Sequence, residues 1–352
     1  MRIRRTFPIA LAVVIVGAAV TLAVQLRKHA PPEPARLLPG ADAFLYANLS
    51  WVRKVSAGSL PPVSHDPEYE RFIQETGFEF ERDLEAAAFA VHYPASWPGK
   101  GTGGNAPEPR FSEVLVGKFE AERLKAYLGR IAHSVENYNS VEIFSIPIDV
   151  RTFRVAVLSV DSVAASNHDD PSVIRGIIDR SRRLASPFGG PALLRRYYKR
   201  VQLASPIWLV ARIDPASPEF GGWSDFLPRP ADVVVSASYN PLHLPLRTGV
   251  LHLRGEALAA SADDARSITD RLNRLLVTFR AAETSVGSPG TDADLKALFE
   301  SLQVRQEDQT AVLSATVPAG VFKKLLESAP PISTPAPQVS PQPGKAAVKK
   351  PH

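Results

Sequence analysis

Hydrophobic and polar positions along this chain fall into three regimes, and the first is unbroken. Phe7–Leu26 reads FPIALAVVIVGAAVTLAVQL, 20 residues without a charge. At ~1.5 Å rise per residue, such a helix reaches roughly 30 Å, the hydrocarbon thickness of a bilayer. Only a helix crosses that layer alone, because its backbone groups are paired within the segment. The pattern predicts a transmembrane helix. A cleaved secretory signal is the rival, but its apolar core spans only ~7–15 residues and ends at a small-x-small site. Here the run continues into Gln25-Leu26-Arg27-Lys28, and its small-residue candidates, around Ala18 and Ala23, lie inside it. Arg2, Arg4 and Arg5 precede the run, and Arg27 and Lys28 follow it. The positive-inside bias then favours a cytoplasmic N-terminus. The expectation is a single-pass signal-anchor in the cell membrane, with an extracytoplasmic body in the cell envelope.

The second regime alternates between the periods of strands and helices. Four prolines between Ala30 and Pro39 predict a stiff extended stem. Strands follow at Phe44–Leu49, Ala86–His92 and Ser112–Phe119, with a helix over Pro67–Thr76 stopped by Gly77. Trp97–Pro109, rich in Gly and Pro, reads as an exposed loop. Ala121–His133 places Leu124, Tyr127, Leu128 and Ile131 at helical spacing. Strands at Val141–Ile146 and Phe153–Val160 precede a helix over Pro171–Leu184, with Asp170 as its N-cap and Pro171 at its first position.

The later half repeats this grammar. Its strands are Pro206–Ile213, Asp232–Ser238 and Leu246–Ala257. Ser261 with Asp264, and Thr291 with Asp294, form capping-box patterns ahead of two helices. A strand at Gln309–Val317 and a helix at Ala319–Ser328 close the body. Val157–Val160, Ala164-Ala165 and Asp169-Asp170 echo Val250–Leu253, Ala259-Ala260 and Asp263-Asp264. A strand–turn–helix unit used twice would produce that echo. The expected fold class is therefore α+β: the transmembrane helix, then antiparallel or mixed sheets with amphipathic helices on one face, in two pseudo-repeated lobes. The corresponding boundaries are 1–29 for the cytoplasmic stub and anchor, 30–40 for the stem, 41–185 and 186–329 for the lobes, and 330–352 for the tail. That tail, dominated by Pro, Ala and polar residues, cannot bury a core and reads as disordered.

Charge changes the picture of a basic protein. The formal net charge is +5, but Arg2, Arg4, Arg5, Arg27 and Lys28 at one end and Lys345, Lys349 and Lys350 at the other carry eight cations and no acid. Without them, 33 basic groups face 36 acidic ones, so the body is about −3. Nucleic-acid binding, which requires clustered phosphate-neutralising charge, is excluded as the expectation. With no cysteine, the chain has no disulfides, thiolate metal sites or cysteine nucleophile.

Candidate chemistry fails motif by motif. Gly99-Lys100-Gly101-Thr102 lacks the spacing of a phosphate loop, and Gly101-x-Gly103-x-x-Ala106 is followed by Pro107 where a helix would start. The eight histidines include no i, i+4 pair and no HExxH, so neither metal nor cofactor is expected. His168-Asp169-Asp170 could ligate, but its acids sit where a helix start favours them. There is no G-x-S-x-G elbow, and spacing cannot single out a catalytic carboxylate pair. The remaining feature is a concentration of cations: Arg180, Arg182 and Arg183, then Arg195, Arg196, Lys199 and Arg200 around Tyr197 and Tyr198. Guanidinium forks and aromatic faces suit phosphates, lipid headgroups or acidic polysaccharide. The bland alternative is the wet side of a helix whose apolar side is Leu193, Leu194, Tyr197, Tyr198 and Val201. Arg195, Arg196, Tyr197, Lys199 and Arg200 are the candidate binding residues for an anionic ligand.

The opening LLPGADAFLYANLS (Leu37–Ser50), the helix end Glu75-Thr76-Gly77-Phe78 leading into Arg82-Asp83-Leu84, and the closing strand–helix pair Gln309–Glu327 resemble uncharacterised bacterial single-pass membrane-anchored proteins. The similarity spans most of residues 37–328. It implies an anchor–stem–body architecture and carries no activity. Function is expected to be non-enzymatic: an anchored module that binds or scaffolds an envelope protein or cell-wall component. The alternatives are an anchored carboxylate-dependent hydrolase or transferase, and an anion- or lipid-headgroup-binding module using the Arg/Tyr helix.

Overall fold

The computed structural model describes residues 30–55, 65–93, 110–148, 151–182, 190–215, 225–239, 251–285, 293–318 and 320–321. The expected span Phe7–Leu26, the Trp97–Pro109 loop with its glycines, the Ala319–Ser328 helix and the 330–352 tail lie wholly or almost wholly outside these residues. Among the described residues the strands form one antiparallel sheet of twelve, in the order β11-β12-β10-β9-β8-β1-β2-β3-β7-β6-β5-β4. Here β1 is Ala43–Asn48, β2 Leu84–His92, β3 Arg110–Gly117 and β4 Ser134–Tyr138. They are followed by β5 (Val141–Ile148), β6 (Arg151–Val157), β7 (Ser162–Ser166) and β8 (Ile207–Ile213). The last four are β9 (Ala231–Tyr239), β10 (Leu251–Leu258), β11 (Gln303–Glu307) and β12 (Thr310–Val317).

The sheet corrects the expected fold class in two respects. First, there are no two lobes with separate sheets. β1 pairs with β2 on one side and with β8 on the other, so strands from both halves share one hydrogen-bonded surface. Second, helices cover both faces. Phe44, Val114 and Val210 point to the first face, where helices Ser172–Arg182 and Ala192–Tyr197 bring Ile174, Ile177, Ile178, Leu194 and Tyr197 into one cluster with them. On the second face, Leu124 and Leu128 of helix Ala121–Ile131 meet Phe144, Val155 and Val163, while Ile268 of helix Ala262–Ser285 meets Ala211, Ile213 and Val233. Side chains alternate along each strand, so an apolar run such as LEAAAFAVH feeds both layers.

For the described residues, the single-pass, signal-anchor reading is also corrected. Among the described residues no helix is long and apolar enough to cross a membrane. The 24-residue helix Ala262–Ser285 has the length, but acids, arginines and polar residues interrupt its sequence. The expected stem is different too. Glu33–Leu37 is a short helix, and Ala35, Leu37 and Leu38 are buried in the first-face core. Pro34 lies in the first turn, where a backbone N–H has no partner within the helix, which explains how a proline-rich stretch can begin one.

The 157–170 and 250–264 echo does not mark equivalent units. The first stretch leaves β6, turns, and forms β7, whereas the second runs straight along β10. A looser correspondence exists in topology. β1-β2-β3 and β8-β9-β10 are both antiparallel meanders, the first followed by one helix and the second by two, and each then by a return from the outer edge of the sheet.

Candidate functional site

Three of the sequence-predicted cations, Arg196, Lys199 and Arg200, reach a common groove whose floor is set by the register of four strands. Arg212 on β8 pairs with Asp232 on β9, Asp232 with Leu258 on β10, and Leu258 with Thr310 on β12. These four side chains form one row across the first face and make the groove floor. Helix Ala192–Tyr197 and the 3-10 turn Tyr198–Arg200 pass over that row and form its wall. Ala259, Ala260 and Gln309 close one end, and the space between measures about 490 Å³.

Local sequence explains the wall. Pro191 precedes the helix, and Leu194, Tyr197 and Val201 recur at helical spacing and are buried. Burying that stripe leaves Arg195, Arg196, Lys199 and Arg200 exposed. Arg196, Tyr197, Lys199 and Arg200 line the groove; Arg195 does not. The upstream cations separate from them. Arg180 Nε donates to the Leu37 carbonyl at 2.6 Å, and Arg182 donates to the Ser140 carbonyl at 3.2 Å. Arg183 lies outside the described residues.

Carboxylates organise part of this positive charge. Tyr197 donates its hydroxyl to Asp232 Oδ2, while Asp232 Oδ1 accepts from Arg212 Nε at 3.3 Å. Burial pushes the Tyr197 phenol above its ordinary pKa, and the hydrogen bond to Asp232 adds to that effect. Beneath the wall, Glu256 is 5% exposed and accepts from Arg200 Nη1 at 2.8 Å and from Arg254 Nε at 2.7 Å. Arg254 also reaches Glu307 at 3.0 Å. Both oxygens of Asp232 and both of Glu256 are therefore engaged. Arg196 stacks its guanidinium 5.0 Å from the centre of the Tyr197 ring. Among the described residues, neither Arg196 nor Lys199 pairs with a carboxylate.

Such an arrangement holds Arg200 and Arg212 in place and leaves Arg196 and Lys199 to meet a ligand. An anion placed there would gain charge-assisted hydrogen bonds, to which the fork geometry of arginine would add directionality. Sequence reasoning found the wall and missed the floor. Arg212, Asp232, Leu258 and Thr310 lie far apart in the chain, and only strand register makes them neighbours.

The His168-Asp169-Asp170 segment has a structural role. Asp170 accepts from the Ser172 N–H at 2.8 Å and from its hydroxyl at 2.7 Å, and Asp169 pairs with Arg110 at 2.8 Å.

No family model matches the sequence, and no curated protein is significantly similar. Among solved structures, crystal form III of TP0453 is similar at 10% identity, covering 85% of this chain and 99% of that one, with a TM-score of 0.45. Crystal form I of TP0453 gives 10% identity, 85% and 98% coverage, and a TM-score of 0.44.

Proposed function

We propose that the protein is a non-enzymatic binding module whose groove over Arg212, Asp232, Leu258 and Thr310 takes an anionic ligand. The observation that carries this proposal is the pairing pattern. Asp232 and Glu256 spend all four carboxylate oxygens on Tyr197 and on arginines. Arg196 and Lys199, at the same wall, meet no carboxylate among the described residues. Acids whose oxygens are all engaged act as positioning groups for cations. A general acid or base would need an oxygen open to substrate.

Calorimetric titration of the full chain with inorganic pyrophosphate tests this reading, using wild type and an R196Q/K199Q variant. Hydrogen bonds to charged groups contribute about 1.5–3 kcal/mol each, so losing both cations should weaken binding at least tenfold. The wild-type affinity should also fall as salt is raised, since the groove is open and screening acts on it. Equal affinity of the double variant, or no pyrophosphate binding by wild type, would remove the basis for the proposal. Repeating the titration with phosphatidylglycerol vesicles distinguishes a lipid headgroup from a free phosphate.

A further inference from the structure

We infer that His65, Glu79 and Glu81 form a binding site for a divalent transition-metal ion, remote in sequence from the anion groove. One ligand atom from each of the three lies within 4.8 Å of the others. His65 Nε2 stands 3.8 Å from Glu81 Oε1. Donor atoms around a tetrahedral Zn²⁺ with bonds of about 2.0–2.1 Å sit roughly 3.3 Å apart. Small rotations of two glutamate side chains would bridge the difference, with no change in the backbone.

Three features suit these groups to ligation beyond their proximity. Each glutamate already has one oxygen occupied by a group outside the triad. Glu79 Oε2 accepts from Arg82 at 2.8 Å, and Glu81 Oε2 accepts from the Tyr69 hydroxyl at 2.5 Å. Their Oε1 atoms are left for an ion. On the far side of the imidazole, His65 Nδ1 faces Glu70 Oε1 at 3.7 Å. A ligating histidine commonly donates its second ring N–H to a carboxylate, which fixes the tautomer and strengthens the ligand. Finally, the imidazole is held by an aromatic scaffold. His65 meets the edge of Tyr69 at 4.7 Å, Tyr69 stacks with Phe72, and Phe72 packs on Phe80 and Phe78. A ligand on such a base retains its geometry when the ion leaves.

The donor set also indicates which ion. One imidazole and two carboxylates suit Zn²⁺, Co²⁺ or Mn²⁺, whereas Mg²⁺ and Ca²⁺ favour oxygen alone. Three protein ligands leave a fourth position open, the arrangement of sites that hold water or a small ligand on the metal.

The test is titration of the metal-stripped full chain with Co²⁺, followed by visible absorption and calorimetry. Wild type should bind one ion that H65A and E81Q each weaken at least tenfold. Zn²⁺ should raise the thermal midpoint of wild type and leave that of E81Q unchanged. An H92A/H168A variant, altering a close histidine pair outside the site, should bind as wild type does. E81Q keeps a hydrogen-bond acceptor for Tyr69, so its folding is the control for H65A. No Co²⁺ binding by wild type, or equal binding by E81Q, would overturn the site.

Discussion

His92, at the end of β2, shows how one half-buried side chain ties several elements to pH. Its Nε2 lies 3.1 Å from Ser112 Oγ, and Ser112 reaches Ser166 Oγ at 3.0 Å. The rings of His92 and His168 meet edge to face at 5.2 Å. Its pKa falls from the ordinary 6.5 to about 4, chiefly through burial and also through His168, while Asp42 and the Gly40 carbonyl oppose the shift. The folded state thus holds His92 neutral at pH values where the unfolded chain protonates it. Stability from this group is complete above pH 6.5 and declines as pH falls towards about 4, below which the loss levels off. Urea midpoints measured at pH 7.0, 5.5 and 4.5 should fall through this window in wild type. In H92Q the decline should be shallower; an unchanged slope would assign the acid sensitivity to other groups.

At the scale of elements, two glycines separate backbone conformation from close approach. Gly77 ends helix Pro67–Thr76 at φ 74°, and its N–H returns to the Ile73 carbonyl. A Cβ there would meet Glu120 Oε1, the end of a flexible side chain, at 2.5 Å. Gly117 ends β3 without a positive φ, but its Cβ would stand 2.7 Å from the Asp83 backbone carbonyl. G77A should cost about 1 kcal/mol, the left-handed penalty. G117A should cost more, about 2–4 kcal/mol, because backbone must move rather than a side-chain tip. Chemical denaturation measures both, and a reversed order would refute the argument. Gly77 was legible in the sequence because it follows a helical pattern with Asp66 and Pro67 at its start. Gly117 was not, since the carbonyl that requires it belongs to a residue 34 positions earlier.

The same distinction explains which strands the pattern revealed. β4 and β11, missed in the sequence, are the two edge strands, with sequences SVENY and QVRQE. An edge strand borders one neighbour and buries little, so its alternation is weak and its polar content high. β7 failed for the opposite reason. SVAAS is small and buried, and its alanines sit in cores on both faces, so it read as a turn.

The whole molecule turns on the β1–β8 junction, which no local pattern announces. Phe44 and Tyr46 of β1 face Val210 and Trp208 of β8 in register, and Tyr46 stacks on Trp208 at 5.6 Å. All four belong to the same cluster as Ile143 from one half and Val234 from the other. Two lobes with separate sheets would unfold independently; one sheet with a shared core should not. Far-UV circular dichroism and tryptophan fluorescence should therefore report a single coincident urea transition. W208A sharpens the test. Trp208 is 1% exposed and packs between Tyr46 and Tyr198, so its removal should cost about 3–5 kcal/mol. With a continuous sheet, that loss lowers the stability of both halves together, and the circular-dichroism transition shifts as one. With separable halves, the variant would instead show a biphasic transition, one phase remaining at the wild-type midpoint. The decisive measurement is whether native-state hydrogen exchange of β5–β6, at the end farther along the sheet from Trp208, accelerates with that of β9. Acceleration of both marks one cooperative body, in which the anion proposed for the groove over β8, β9, β10 and β12 would also stabilise the distant strands.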